Sequence, residues 1–273
     1  NIFISGEITS ESKIQYQRNI LERVKKLVPY LELDSDPYVV INNGKLKWIQ
    51  DAYTVSTNYP YSEPSNNGYN YWRNSVKAVI DAYDGTVEFY ISDNSDPLID
   101  TYSKIFPNVF KSISDMPSDL KDHIRYPIDL FKVQSEKYLE YHMQDSQIFY
   151  NNEDLWNIPK EKFGQSGELQ NVEPYYIVMN LPGNDDSEFV LIRPFTPNQR
   201  KNLIGWLAGR SDGDQYGKLI AYNFPKDLTI YGTEQIEARM DNDPIISEWF
   251  TLRCQEGSFC IRGNLLVVPI DDT

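Results

Sequence analysis

Tyr38-Val-Val-Ile-Asn-Asn-Gly-Lys-Leu-Lys-Trp-Ile-Gln-Asp-Ala-Tyr53 and Ser75-Val-Lys-Ala-Val-Ile-Asp-Ala-Tyr-Asp-Gly-Thr-Val-Glu-Phe-Tyr-Ile91 decide the fold of this 273-residue chain. In each, a dipeptide that accepts positive φ, Asn43-Gly44 or Asp84-Gly85, separates runs of β-branched and aromatic residues. This pattern specifies two antiparallel hairpins in series. Side chains at alternating positions around Trp48 and Ala78 then pave the interior of a sheet. The device carries no reactive group, so it predicts architecture and no reaction.

Upstream, Thr9 or Ser10 caps a predicted helix running to about Leu31. Its apolar stripe is Ile14, Ile20, Leu21, Val24, Leu27, Val28 and Leu31, and Pro29 helps end it. Between the hairpins runs a polar connection, Thr54 to Asn70, too long for a simple turn. Loops beyond roughly 12–15 residues are usually functional or disordered, and the aromatics of this one argue against disorder. Tyr59, Tyr61 and Glu63 are therefore the first candidates for ligand binding. Downstream, Ser118 to Met143 reads as helical, broken by Pro127.

Residues 159–173 are polar with two glycines and read as a linker. It separates an expected N-terminal lobe, 1–158, from a C-terminal lobe, 174–273. The second lobe begins with a predicted strand pair, Tyr175–Leu181 and Glu188–Arg193. Thr196-Pro197 caps an expected short helix ending at Gly209. Strands follow at Lys218–Phe224 and Leu265–Ile270. Hairpins outnumber regular crossovers, so the fold class is α+β: antiparallel sheets built from hairpins, with flanking helices, in two packed lobes.

Forty acidic residues against 26 basic ones give a net charge of −14. Such a surface repels phosphate backbones and argues against nucleic-acid binding. No apolar run approaches the roughly 18 residues a membrane-spanning helix needs. The start, Asn1-Ile-Phe-Ile, has no basic segment, signal core or initiator Met, so the chain reads as a piece of something longer. The 20 tyrosines fit half-buried sheet faces first and an aromatic binding platform second.

Nucleophile-elbow, zincin, P-loop and dinucleotide motifs are absent. Two histidines, His123 and His142, and no Cys-x-x-Cys leave little from which to build a zinc site, and no cofactor is expected. Forty acids supply carboxylate pairs by chance alone, so a carboxylate-dependent hydrolase is the rival to a binding module. Asp-Pro recurs at 36–37, 96–97 and 243–244, each with a further Asp just upstream. Helix capping explains this better than a calcium site. Arg210-Ser-Asp-Gly-Asp-Gln-Tyr-Gly217 is expected after a helix. Arg210 and Asp212 are candidate ligand-binding residues there, although a tight structural turn is the favoured reading. Cys254 and Cys260 bracket a turn-like segment. Their spacing allows a disulfide, with two buried, unpaired thiols as the alternative.

Asp36-Pro-Tyr-Val-Val-Ile, Trp48-Ile-Gln-Asp-Ala-Tyr-Thr, Tyr59-Pro-Tyr-Ser, Arg73-Asn-Ser-Val-Lys-Ala-Val-Ile-Asp-Ala-Tyr, Phe149-Tyr-Asn-Asn-Glu-Asp-Leu-Trp, Arg210-Ser-Asp-Gly and Ile261-Arg-Gly-Asn-Leu-Leu-Val-Val resemble, in order along nearly the whole chain, the uncharacterised protein family UPF0182. The resemblance implies a large membrane protein whose N-terminal half carries several spanning helices. This region would lie on the extracytoplasmic side of the membrane. Together with the missing catalytic signatures, the negative charge and the loop around Tyr59 and Tyr61, the resemblance favours a non-catalytic module that recognises a protein or envelope polymer for the parent's own spanning part. The family brings no established activity or catalytic residues, and the cysteine pair is not part of its pattern. A shorter likeness, Val76 to Ile91, is to the hairpins of PepSY-type envelope modules.

Overall fold

The computed structural model describes residues 6–268 except 13, 15, 166, 184, 185, 226, 255 and 256. The chain forms two compact units, Asn1–Leu130 and Phe131–Thr273. Seven α-helices and thirteen strands occur among the described residues, in antiparallel and mixed sheets, and the fold is α+β.

In the first unit a six-stranded sheet has the order β1 (Glu32–Leu33), β3 (Lys45–Ser56), β4 (Tyr71–Asp81), β5 (Val87–Ile91), β6 (Phe110–Ser112). β2 (Tyr38–Asn42) pairs with the same edge of β3 as β1 does, through the turn at Asn43-Gly44, where both residues take positive φ. All pairings are antiparallel except β5 with β6. Residues 49–54 and 75–80 are buried without interruption. These two central strands are thus covered on both faces, which explains why strict polar alternation is lost in them.

One face carries Ala52, Val76, Ala78 and Ile80. It packs against Val24 and Val28 at α1 (Ile20–Leu27) and Ile99 of α2 (Pro97–Ile105). The other carries Ile49 and Val79 against Tyr38, Tyr90, Met116 and Leu120, the last from α3 (Ser118–Lys121). α1 is shorter than expected. Asn19, whose side chain accepts from the Glu22 amide, caps it in place of Thr9 or Ser10. Gln17, at φ 54°, breaks the periodic pattern just upstream. Asp96-Pro97 starts α2 as predicted, whereas Asp36-Pro37 leads into β2 and starts no helix.

The second unit contains α4 (Ile128–Tyr141) from Phe131 on, then α5 (Ser146–Asn151) and β7 (Trp156–Asn157). Where the sequence reading places a linker, Lys160–Phe163 (β8) and Glu168–Asn171 (β9) form a hairpin. The division between units falls instead at Leu130/Phe131. Gly164 and Gly167, the two residues that looked linker-like, hold positive φ in the hairpin turn.

The main sheet runs β10 (Tyr175–Asn180), β11 (Ser187–Pro197), β12 (Gly205–Arg210), β13 (Leu219–Asn223), with β7 on the end of β11. The helix expected from Thr196 to Gly209 does not exist: β11 continues through Pro197, and Gly205–Arg210 is a strand. A short apolar run such as Gly-Trp-Leu-Ala-Gly is compatible with either state. Here five consecutive buried residues in the middle of a sheet settle it as strand. A Cβ on Gly205 would collide with the backbone carbonyl of Tyr222 on β13, so close strand packing requires glycine there. α6 (Thr233–Asn242) was not anticipated, and α7 (Pro244–Arg253) starts at Asp243-Pro244 as expected. Leu265–Val268 is not a strand, and Pro269 and Ile270 lie outside the described residues.

Candidate functional site

The loop at 57–70 is fastened at its neck by one side chain. Asn70 accepts from the Tyr59 amide at 3.0 Å and donates to the carbonyls of Tyr59 at 2.7 Å and Ser62 at 3.3 Å. Ser62 and Ser65 return hydroxyl bonds to the carbonyls of Asn70 and Tyr69. The loop is therefore fastened at its neck, and Tyr61 at its tip faces solvent.

Two of the three candidates here are solvent-facing rings. Tyr59 stacks on Tyr71 at 5.5 Å between ring centres while remaining half-exposed. Tyr61 is fully exposed and sits at φ 55°, a region that bulky residues avoid. Glu63 is exposed beside them.

Behind the loop, Tyr69 and Tyr53 meet Trp72 edge-on at 5.7 and 5.2 Å. The Tyr71 hydroxyl donates to Asp96 at 2.6 Å. Burial and that carboxylate push the Tyr71 phenol up to about 12. Asp96 also receives Thr54 and Ser75 hydroxyls at 2.5 Å and the Leu98 amide. Burial alone would raise the Asp96 carboxyl, but these hydrogen bonds outweigh it and hold it below its ordinary value.

Sequence reasoning missed a second polar cluster, on the sheet face that carries Ile49 and Val79. β1 and β2 leave a break along β3 at residues 34–37, and Asp34 fills it. Asp34 accepts from the Tyr53 hydroxyl, from the Asp129 amide at 3.0 Å and from the Asp36 amide at 2.9 Å. Asp129 in turn holds Ser35 through its amide (2.7 Å) and hydroxyl (2.8 Å). Burial, together with the Asp129 and Asp51 charges, prevails over these hydrogen bonds and raises the Asp34 carboxyl to about 6.

One register step away, Asp51 and Lys77 face each other across β3 and β4 as a buried ion pair, joined by the Asn74 amide at 3.1 Å. A groove of about 600 Å³ passes over Leu33, Asp34 and Ser35, yet the Asp34 side chain is sealed beneath it at 1% exposure. The signal available in the sequence was an Asp and a Lys placed where the hydrophobic pattern calls for core residues.

In the second unit Arg210 closes β12 and pairs with Glu188 on β11 through two hydrogen bonds. It also donates to Gln215 at 3.0 Å. Asp212 accepts from the Phe189 amide at 2.7 Å. Arg210 follows a strand, not a helix, and orients Glu188 and not Asp212, so the segment is a turn pinned to β11. Tyr59, Tyr61 and Glu63 thus belong to one unit, and Arg210 and Asp212 to the other. Cys254 and Cys260 are joined, with Cα atoms 5.4 Å apart. Among the described residues no group of three or more His, Cys, Asp or Glu is placed to hold a metal ion. No described helix is long and apolar enough to cross a membrane.

The model of the Uncharacterised protein family (UPF0182) matches residues 1–253. The chain belongs to UPF0182. It is similar to UPF0182 proteins of Pelotomaculum thermopropionicum (55% identical, over 99% of this chain and 29% of the relative) and Methanospirillum hungatei (50%, over 100% and 31%). A Nostoc UPF0182 protein is 53% identical over the whole chain and 28% of its own length. The chain therefore spans under a third of these curated relatives. No solved structure matches it. The aromatic loop, the Asp34 cluster and the Arg210 turn all lie inside the stretch the UPF0182 model matches, while the Cys254–Cys260 bridge begins one residue past its end.

Proposed function

We propose that this part of UPF0182 is a non-catalytic recognition module, carried on the extracytoplasmic side of a membrane-anchored parent, that takes a protein or cell-envelope polymer at the Tyr59–Tyr61 loop. One observation carries the reading: Tyr61 presents its whole ring to solvent from a left-handed backbone position, on a loop that Asn70 ties down. Such strain costs on the order of 1–3 kcal/mol and persists where the surroundings enforce it, commonly at ligand-contacting sites. A pre-ordered loop with two outward rings gives flat apolar contact area at low entropic cost.

The carboxylate hydrolase receives no comparable support. The convergent carboxylates, Asp34 and Asp51, are 1% and 2% exposed and are committed to internal donors, whereas a general acid must reach its substrate. The test is a glycan array and a titration with purified envelope polymers, comparing wild type with Tyr59→Ala/Tyr61→Ala. Tyr61 is fully exposed whereas Tyr59 stacks on Tyr71, so the thermal midpoint of the variant is compared with wild type to separate lost binding from lost fold. A ligand bound by wild type and lost at least tenfold in the variant is the expected result. Equal binding by both proteins removes the loop from the proposal.

A further inference from the structure

A cleft of about 610 Å³ in the second unit lies where β7 meets β11, beside the β8–β9 hairpin and the first turn of α6. Lys160, Arg200 and Lys201 line it. Lys201 is paired with Glu234 at 2.5 Å. Lys160 and Arg200 have no carboxylate partner among the described residues, in a chain whose net charge is −14. Acids outnumber bases by 40 to 26. Two exposed cations left unneutralised on the wall of one cleft are therefore a local reversal of the molecule's charge, and reversals of this kind concentrate anions.

The rest of the lining is amide-rich. Asn157 donates to the Asn198 side-chain oxygen at 2.6 Å and to its carbonyl at 3.2 Å, which orients both amides. The Asn198 amide nitrogen, and the Asn171 and Gln199 side chains, make no hydrogen bond among the described residues and face the same space. The floor is strand backbone: Thr196 is buried, pairs in register with Asn157 and donates its hydroxyl to the Asn157 carbonyl. The volume lies within the range of small-ligand sites.

We infer that this cleft binds an anionic, hydroxyl-rich ligand, with Lys160 and Arg200 on its charged group and the Asn171, Asn198 and Gln199 amides on its hydroxyls. An acidic saccharide and a polyol phosphate share that chemistry. Arginine meets either anion in a two-pronged geometry and lysine as a point charge.

The experiment titrates the whole chain by calorimetry at low salt with a galacturonic acid trimer, a neutral galactose trimer of equal length, glycerol phosphate and inorganic phosphate. Binding of the galacturonate or of glycerol phosphate at least tenfold tighter than that of the neutral trimer is expected, and the tighter of the two names the source. Lys160→Glu/Arg200→Glu abolishes this binding, and Asn198→Ala weakens it several-fold while leaving inorganic phosphate unaffected. Unchanged thermal midpoints in the variants show that the fold survives. Binding of no anionic probe at millimolar concentration, or equal affinity for the neutral trimer, overturns the inference. So does inorganic phosphate binding as tightly as the larger probes, or charge-reversal variants that bind like wild type.

Discussion

The tripeptide Asp-Ala-Tyr occurs twice in the first unit with opposite fates. At 51–53 it lies in β3, where Asp51 pairs with Lys77 and Tyr53 is buried. At 81–83 it enters a turn, where Asp81 accepts from the Tyr83 and Asp84 amides and Tyr83 is exposed. Hydrogen bonds from Lys47 and those two amides bring the Asp81 carboxyl down to about 2. The same three residues are thus buried inside the sheet in one place and lie in a partly exposed turn at its edge in the other. Removing one member of a buried ion pair leaves the other charge uncompensated, so Lys77→Met is expected to cost about 3–5 kcal/mol in urea denaturation. Asp51→Leu/Lys77→Met is expected to recover most of that, since the pair's own attraction largely offsets its desolvation. Asp34 gives a pH signature. Its folded value near 6 exceeds its ordinary 3.8. Its stabilising contribution is therefore complete below about 3.8 and is lost as pH rises through 6, a difference on the order of 3 kcal/mol. Asp34→Asn, which cannot ionise, should flatten the stability slope between pH 4 and 7 relative to wild type. Parallel slopes for the two proteins would show that Asp34 does not titrate there.

Between elements, a β-bulge decides who meets whom. The register of β3 and β4 shifts between Ala52 and Thr54, so that Asn74 and Ser75 both lie opposite Tyr53. Asn74 reaches Asp51 on one face, and Ser75 reaches Asp96 at the start of α2 on the other. Asp96 thereby ties β3, β4 and α2 together. Asp96→Ala removes the helix cap and leaves the Thr54 and Ser75 hydroxyls buried without their acceptor. A loss of about 2–4 kcal/mol is expected, read as a lowered urea midpoint. The hairpins and the Asp-Pro starts of α2 and α7 were legible because turn dipeptides and caps act over three or four residues. The bulge, the β8–β9 hairpin and β12 were not. A bulge is set by partners twenty residues away, turn glycines and linker glycines look alike, and an apolar run takes its state from the sheet around it. The loop at Tyr59 was legible by its length and aromatics. The Asp34 cluster was not, since Asp34 and Asp129 are 95 positions apart.

At the scale of the whole molecule, each unit carries its own sheet, and the first has cores of its own on both faces of the central strands. The UPF0182 relatives are more than three times as long as the stretch of them that this chain matches. Stability within a unit is uneven, and local opening follows the least covered segments. Residues 49–54 and 75–80 are buried without interruption, with core side chains on both faces of the sheet. Deuterium uptake at those twelve amides should therefore proceed only through complete unfolding of the unit, at the rate set by its global stability, while α1 and β2 label earlier. Uptake there as fast as in β2 would mean that the central strands open without unfolding of the unit.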